Sequence, residues 1–141
     1  MRRGRTRPPG DETVVLVHAG HNDAQLSGGE PRVSDTAFRD AAAALDTFLA
    51  SHERVDRHAF VGLVPLLRLD GGEGVPFDES QPGRSLAYDD ALADAVETHL
   101  AVARPVGEWF ERTEDGVHPN DAGHAYVAER VTAWLAGEGR R

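Results

Sequence analysis

The most constraining feature of the sequence is a run of four aliphatic residues, Val14–Val17, that breaks abruptly into a polar turn at residues 18–23 (His-Ala-Gly-His-Asn-Asp). A short apolar run with polar and glycine-containing flanks is typical of a strand buried on both faces, as in parallel sheets covered by helices on either side. We therefore predict a strand over about residues 13–18. Open α/β sheets bind their ligands beyond the carboxyl ends of their strands, so the polar turn is a candidate site.

A second polar turn, at residues 115–120 (Asp-Gly-Val-His-Pro-Asn), places a carboxylate and an imidazole three residues apart. An imidazole serves as a general base when one ring nitrogen faces the substrate and an acceptor holds the other. Asp115 can be that acceptor for His118. The alternative is an ordinary histidine before a helix, which we predict to be capped by Asn120, to run to about residue 136 and to end at Gly137.

Together, Gly20-His21-Asn22-Asp23 and Asp115-Gly116-Val117-His118 resemble the last two sequence blocks of the SGNH (GDSL-type) serine esterases, written G-x-N-D and D-x-x-H. The resemblance covers about residues 13–136. It implies an α/β fold of three layers, α/β/α, around a parallel, flavodoxin-like sheet. It also implies that His118 is the general base, that Asp115 orients it, and that Asn22 and Gly20 belong to the oxyanion hole. The implied substrate is a small acyl ester or an O-acetylated carbohydrate.

The sequence departs from this family because its first two blocks, Gly-Asp-Ser with the nucleophile and a second block with an oxyanion glycine, are absent. We therefore expect a partial, N-terminally truncated hydrolase domain at residues 12–137 behind a disordered Arg/Pro-rich tail at residues 1–11. No nucleophile is predicted in the chain, since Ser27, Ser80 and Ser85 are not at a strand-to-helix elbow. The isolated chain should be inactive. The alternative function is that of a non-catalytic remnant or interaction module with the same fold.

The missing first block has a consequence for the sheet. In the family, the strand that carries Gly-Asp-Ser lies beside the strand that carries G-x-N-D. Strand 13–18 should then be an exposed edge without a charged residue among Val14–Val17, and such an edge favours self-association.

A metal site is an alternative interpretation, because several potential ligands flank the two turns: His18, His21, Asp23, Asp115, His118 and His124. Metallophosphoesterases, however, use Gly-Asn-His-Asp/Glu and Gly-His-x-His stretches. Here the order is Gly-His-Asn-Asp, and no G-D-x-x-D partner is present. His124 falls on the predicted apolar stripe of the last helix, with Val127, Val131 and Leu135, which favours a partly buried helical histidine. We therefore predict no metal and no other cofactor.

Between the two turns the pattern alternates between strands and helices. Ser34 or Asp35 should cap a helix that runs to about residue 51. Its inward face should carry four apolar residues at helical spacing: Phe38, Ala42, Leu45 and Leu49. A second strand is predicted at residues 59–65, a long loop at 69–86, a helix at 87–98 and a short strand at 100–103.

Composition limits the possible partners. The net charge is −9, and all fifteen basic residues are arginine. An acidic chain of this kind should bind neither nucleic acid nor anionic membranes.

The longest aliphatic run has four residues, too few to span a bilayer, and there is no cysteine for a disulfide or a thiolate. The arginine-rich start does not resemble a secretory signal, so we expect a cytoplasmic protein. Acid excess without lysine suits either a halophile or a GC-rich genome.

Overall fold

The computed structural model describes residues 11–27, 30–67 and 81–137. Three strands form a parallel sheet in the order β1 (Val14–Val17), β4 (Arg57–Val61) and β5 (His99–Leu100). Val14 pairs with Arg57, and Phe60 pairs with His99. A small antiparallel hairpin of β2 (Leu26–Ser27) and β3 (Glu30–Pro31) follows β1.

Helices cover both faces of the parallel sheet: α1 (Asp35–Ser51), α2 (Gln81–Ala95) and α3 (Asp121–Leu135). Alternate residues of β4 point to opposite faces, as strand geometry requires. Phe60 packs in one cluster with buried residues of α1 and α2, whereas Ala59 and Val61 pack in a second cluster with Trp134 of α3. The predicted α/β fold, with a parallel sheet between helical layers, is confirmed.

Helix α1 begins where the sequence predicts. Ser34 is the N-cap, and its Oγ accepts a hydrogen bond from the backbone N–H of Ala37 at 3.1 Å. Phe38, Ala42 and Leu49 are buried. The prediction was wrong for Leu45, which is 39% exposed because it lies at the rim of an open groove beside β1.

Several predicted boundaries were wrong. Strand β4 covers Arg57–Val61 instead of residues 59–65, β5 covers only His99–Leu100 instead of 100–103, and α2 begins at Gln81 instead of 87. Pro82 and Gly83 were interpreted as loop residues, but proline is tolerated in the first turn of a helix. Residues 69–80 of the predicted long loop and residues 1–10 of the predicted tail lie outside the described residues.

Helix α3 is preceded by a 3₁₀ helix at Val106–Glu111 and capped by Asn120, whose Oδ1 accepts from the N–H of Gly123 at 3.0 Å. Gly137, at φ +102°, follows its last turn as predicted. The predicted stripe was wrong in part, since His124 and Leu135 are exposed. Gly123 and Trp134 are the buried residues of this helix. A Cβ on Gly123 would clash with the carbonyl oxygen of Arg112, whereas Trp134 packs in the second cluster with Ala59 and Val61.

Strand β1 has a neighbour on one side only among the described residues, because the sheet order places it beside β4 alone. Leu16 on this strand is 40% exposed. Among the helices that the structure describes, none is both long and apolar enough to cross a bilayer.

Candidate functional site

The site is built on a buried extended segment, residues 62–67 (Gly-Leu-Val-Pro-Leu-Leu), that continues from β4 beyond the sheet. All six residues are buried, yet the segment is not a strand. Its five N–H groups bond to acceptors in four separate parts of the molecule, since two of the acceptors lie on α2. Pro65 has no N–H to satisfy. The acceptors are Leu100 O for Gly62, Asp89 Oδ1 for Leu63, His21 Nε2 for Val64, Ser85 Oγ for Leu66 and Gly116 O for Leu67.

Two of these contacts bring the two polar turns together. The N–H of Val64 donates to His21 Nε2 at 3.0 Å, and the N–H of Leu67 donates to the carbonyl of Gly116 at 2.7 Å. Three residues of extended chain span at most about 11 Å. The turn after β1 and the turn before α3 are therefore anchored side by side, beyond the carboxyl end of β4.

The Asp115 carboxylate organises the second turn. Its Oδ1 accepts from the backbone N–H groups of Val117 at 2.8 Å and His118 at 2.7 Å, and its Oδ2 lies 2.6 Å from His118 Nδ1. Gly116 adopts φ +88°, a conformation that favours glycine. The pKa of Asp115 lies well below its usual range, chiefly because of the hydrogen bond from the His118 backbone, and then because of the His118 ring and the Val117 backbone.

Asp115 thus leaves one ring nitrogen of His118 available. Nδ1 is held by the carboxylate, so Nε2 is the nitrogen that can face a substrate. The side chain of His118 is 77% exposed. Among the described residues, no hydrogen bond engages Nε2, so the geometry suits proton transfer at that atom.

The first turn depends on Gly20 for its backbone shape. Gly20 has φ +116°, and a Cβ built on it would lie 2.8 Å from Cε2 of Phe38. Asn22 follows with its side chain exposed. Its Oδ1 accepts from Nε2 of the buried Gln25 at 3.1 Å, which leaves the two N–H donors of the Asn22 amide available. An amide held in this way can donate to a developing negative charge.

Comparison with known proteins bears on this arrangement. The chain resembles a GDSL lipase. The relative, from Mycobacterium tuberculosis, is 27% identical over 136 residues, which cover 91% of this chain and 52% of the lipase. An alanine–tRNA ligase of Thermofilum pendens is 32% identical over 135 residues, or 90% of this chain and 14% of the ligase. The chain therefore spans about half the length of the lipase and a small part of the ligase. No protein-family model matches the sequence.

His21 has a structural contact in the middle of the first polar turn, residues 18–23. It accepts a hydrogen bond at Nε2 from Val64, so its ring must be neutral. Burial, and then the neighbouring His18, lower the pKa of His21 to about 4, and Asp89 partly opposes them. The rings of His18 and His21 are in edge contact, with their centroids 5.0 Å apart. Burial also lowers the pKa of His18. No group of three or more potential metal ligands occurs in the part of the chain that the structure describes.

Of the three serines considered as nucleophiles, Ser85 is the one whose side chain is described. Ser85 is buried, and its Oγ accepts from the N–H of Leu66 at 3.0 Å. Ser80 and the side chain of Ser27 are outside the described residues. The structure shows no hydrogen bond between His118 and any serine it describes.

Sequence reasoning missed the residues that hold the buried segment in place. Asp89 accepts from Leu63 N–H and from His99 Nε2, both at 2.8 Å, and Ser85 accepts from Leu66. Ser85 and Asp89 are four residues apart and share one face of α2. The available signal for this role was the helical spacing of Ser85 and Asp89 with Tyr88 and Leu92, which places two polar residues on an apolar face that is buried.

Proposed function

We propose that this chain carries the general base and the oxyanion donors of a serine ester hydrolase of the SGNH (GDSL) type. The observation that supports this most directly is the Asp115–His118 pair. The carboxylate fixes the turn through two backbone N–H groups and holds His118 Nδ1, so the exposed Nε2 is available for proton transfer. The resemblance to a GDSL lipase over 91% of the chain supports the same function.

In the proposed reaction a serine hydroxyl attacks the carbonyl carbon of an ester, and its proton passes to Nε2 of His118. Asp115 stabilises the resulting imidazolium. The carbonyl oxygen becomes an oxyanion, to which the amide of Asn22 and the backbone N–H of Gly20 donate. His118 then returns the proton to the leaving alcohol, and water hydrolyses the acyl-enzyme by the same route.

The nucleophilic serine belongs, in this proposal, to a segment outside the described residues. The described serines have structural contacts instead: Ser34 caps α1, Ser51 donates to carbonyls of its own helix, and Ser85 accepts from Leu66. A small acyl ester or an O-acetylated carbohydrate is the proposed substrate class. The net charge of −9 opposes binding of nucleic acid or an anionic membrane.

The test compares the 141-residue chain with a form extended at its N-terminus by the coding sequence upstream of Met1, using hydrolysis of p-nitrophenyl acetate. The 141-residue chain should give no turnover above the buffer blank. In the extended form, His118→Ala should lower kcat by about 10³-fold or more, and Asn22→Ala by about 10²- to 10³-fold. His124→Ala is the matched control, because His124 is an exposed histidine of α3 outside the site.

An extended form that hydrolyses the ester equally well without His118 would refute the assigned roles. The second candidate function, a non-catalytic interaction module with the same fold, is favoured by one observation: no described serine bonds to His118. That function would be supported if every folded form of the chain failed to hydrolyse esters.

A further inference from the structure

Ser85 connects helix α2 to the turn that carries His118. The residue is 2% exposed, and its Oγ accepts a hydrogen bond from the N–H of Leu66 at 3.0 Å. The next N–H along the chain, that of Leu67, donates to the carbonyl of Gly116 at 2.7 Å. Two successive backbone N–H groups thus bond the buried segment to α2 and to the second polar turn.

The second polar turn has a single hydrogen bond of this kind. Among the described residues, the contact between Leu67 and Gly116 is the only hydrogen bond that joins residues 113–118 to a residue outside that range. Gly116 is buried, whereas Asp115 and His118 are exposed. Besides the chain at its two ends, Gly116 is therefore the point at which hydrogen bonding fixes the turn.

The position of the Leu67 N–H depends on Ser85. Consecutive Cα atoms are about 3.8 Å apart, so Leu67 follows any movement of Leu66. The preceding N–H contact of the segment is at Val64, because Pro65 has no N–H. Without the serine hydroxyl, the N–H of Leu66 would lose its acceptor in a buried position, which is strongly unfavourable. The backbone would then shift toward another acceptor and take the N–H of Leu67 with it.

We propose that Ser85 is a positioning residue for His118. Its Oγ fixes Leu66, the adjacent N–H holds Gly116, and the Asp115–His118 turn is thereby placed relative to the first polar turn. The effect of Ser85 on catalysis rests on the proposed function, in which Nε2 of His118 must reach a serine hydroxyl. A displacement of about 1 Å caused far from the chemistry can lower a rate by about 10²-fold, so a buried residue outside the site can control turnover.

Hydrogen exchange of single amides, measured by NMR in the 141-residue chain, tests this placement without any substrate. Ser85→Ala should speed exchange at the Leu67 amide by about tenfold or more relative to the amide of Phe60, which bonds to Thr98. Ser34→Ala is the matched control, since it also removes a serine oxygen that accepts a backbone N–H, but at the N-cap of α1. This control should change the two exchange rates by similar factors.

Kinetics of the extended form, with p-nitrophenyl acetate, test the effect on catalysis. Ser85→Ala should lower kcat by about tenfold or more and leave KM within about twofold, because the buried Ser85 side chain does not face the substrate. In the His118→Ala background, the same change should lower kcat by less than about twofold, since no general base remains to be displaced. Ser34→Ala should leave kcat within about twofold in both backgrounds. A fluorophosphonate probe should still label Ser85→Ala, because the nucleophile is a different serine.

Three results would overturn the proposal: exchange at Leu67 that changes no more than exchange at Phe60 in Ser85→Ala, an unchanged kcat, or an equal loss of kcat with and without His118. Loss of probe labelling in Ser85→Ala would also overturn it, by making Ser85 the nucleophile. If the extended form hydrolysed no ester, the proposed function would fail. Faster exchange at Leu67 in Ser85→Ala would then still support the placement of the turn by Ser85, and unchanged exchange would overturn it.

Discussion

Acidification should destabilise the fold through His21. Its Nε2 accepts the N–H of Val64 at 3.0 Å, so a proton added there would set one donor against another in a partly buried position. Burial is the main cause of the low pKa of about 4, His18 lowers it further, and Asp89 partly offsets both. The unfolded chain has no such constraint, and its His21 should titrate near 6.5.

The sign and size of the effect follow from these two pKa values. Above pH 6.5 His21 is neutral in both states, and the stabilising contact is fully present. Between pH 6.5 and about 4 the unfolded chain binds a proton that the folded chain does not, so the free energy of unfolding falls as the pH falls. A tenfold change in proton affinity corresponds to about 1.4 kcal/mol, so the total loss is about 3 kcal/mol. Below pH 4 this contribution no longer changes.

Urea denaturation at pH 7.5, 5.5 and 4.0 measures the effect when the natural chain is compared with His21→Gln. The glutamine Oε1 can accept from Val64 but does not titrate. The variant should lose about 3 kcal/mol less than the natural chain across this pH range. His124→Gln, at an exposed histidine, should behave like the natural chain. An equal loss in His21→Gln and in the natural chain would refute the reasoning.

Two further predictions concern stability. Gly20→Ala should lower the free energy of unfolding by about 2 kcal/mol or more, since the added Cβ would lie 2.8 Å from the Phe38 ring and the residue has φ +116°; unchanged urea denaturation would show that the turn relaxes freely. If the acidic composition is an adaptation to high salt, molar KCl should raise the thermal midpoint by screening repulsion within a net charge of −9. A midpoint that stays constant or falls would favour the GC-rich explanation.

Local signals in the sequence predicted the elements that depend on near neighbours. The Ser34 and Asn120 caps and the glycine after α3 are each determined by residues within one turn of a helix. The contact between Asp115 and His118 is of the same kind, because three residues in a tight turn bring the two side chains together.

The end of β4 could not be predicted because residues 62–67 are as apolar as a strand. What distinguishes them is the source of their hydrogen-bond acceptors. Leu63, Val64 and Leu66 bond to side chains that are 26, 43 and 19 residues away in sequence, instead of to a neighbouring strand. Hydrophobic periodicity carries no information about such distant contacts. The role of His21 was missed for the same reason.

The hydrogen bonds of residues 62–67 also limit how the length of related chains can vary. Adding or removing one residue between Val61 and Leu67 would shift every later N–H by about 3.4 Å, beyond the reach of its acceptor. Each buried donor left unsatisfied costs about 1–3 kcal/mol, and three of them would remove much of the 5–15 kcal/mol that stabilises a typical domain. Relatives that retain this site should therefore keep the number of residues from β4 to Leu67 constant and accommodate insertions elsewhere.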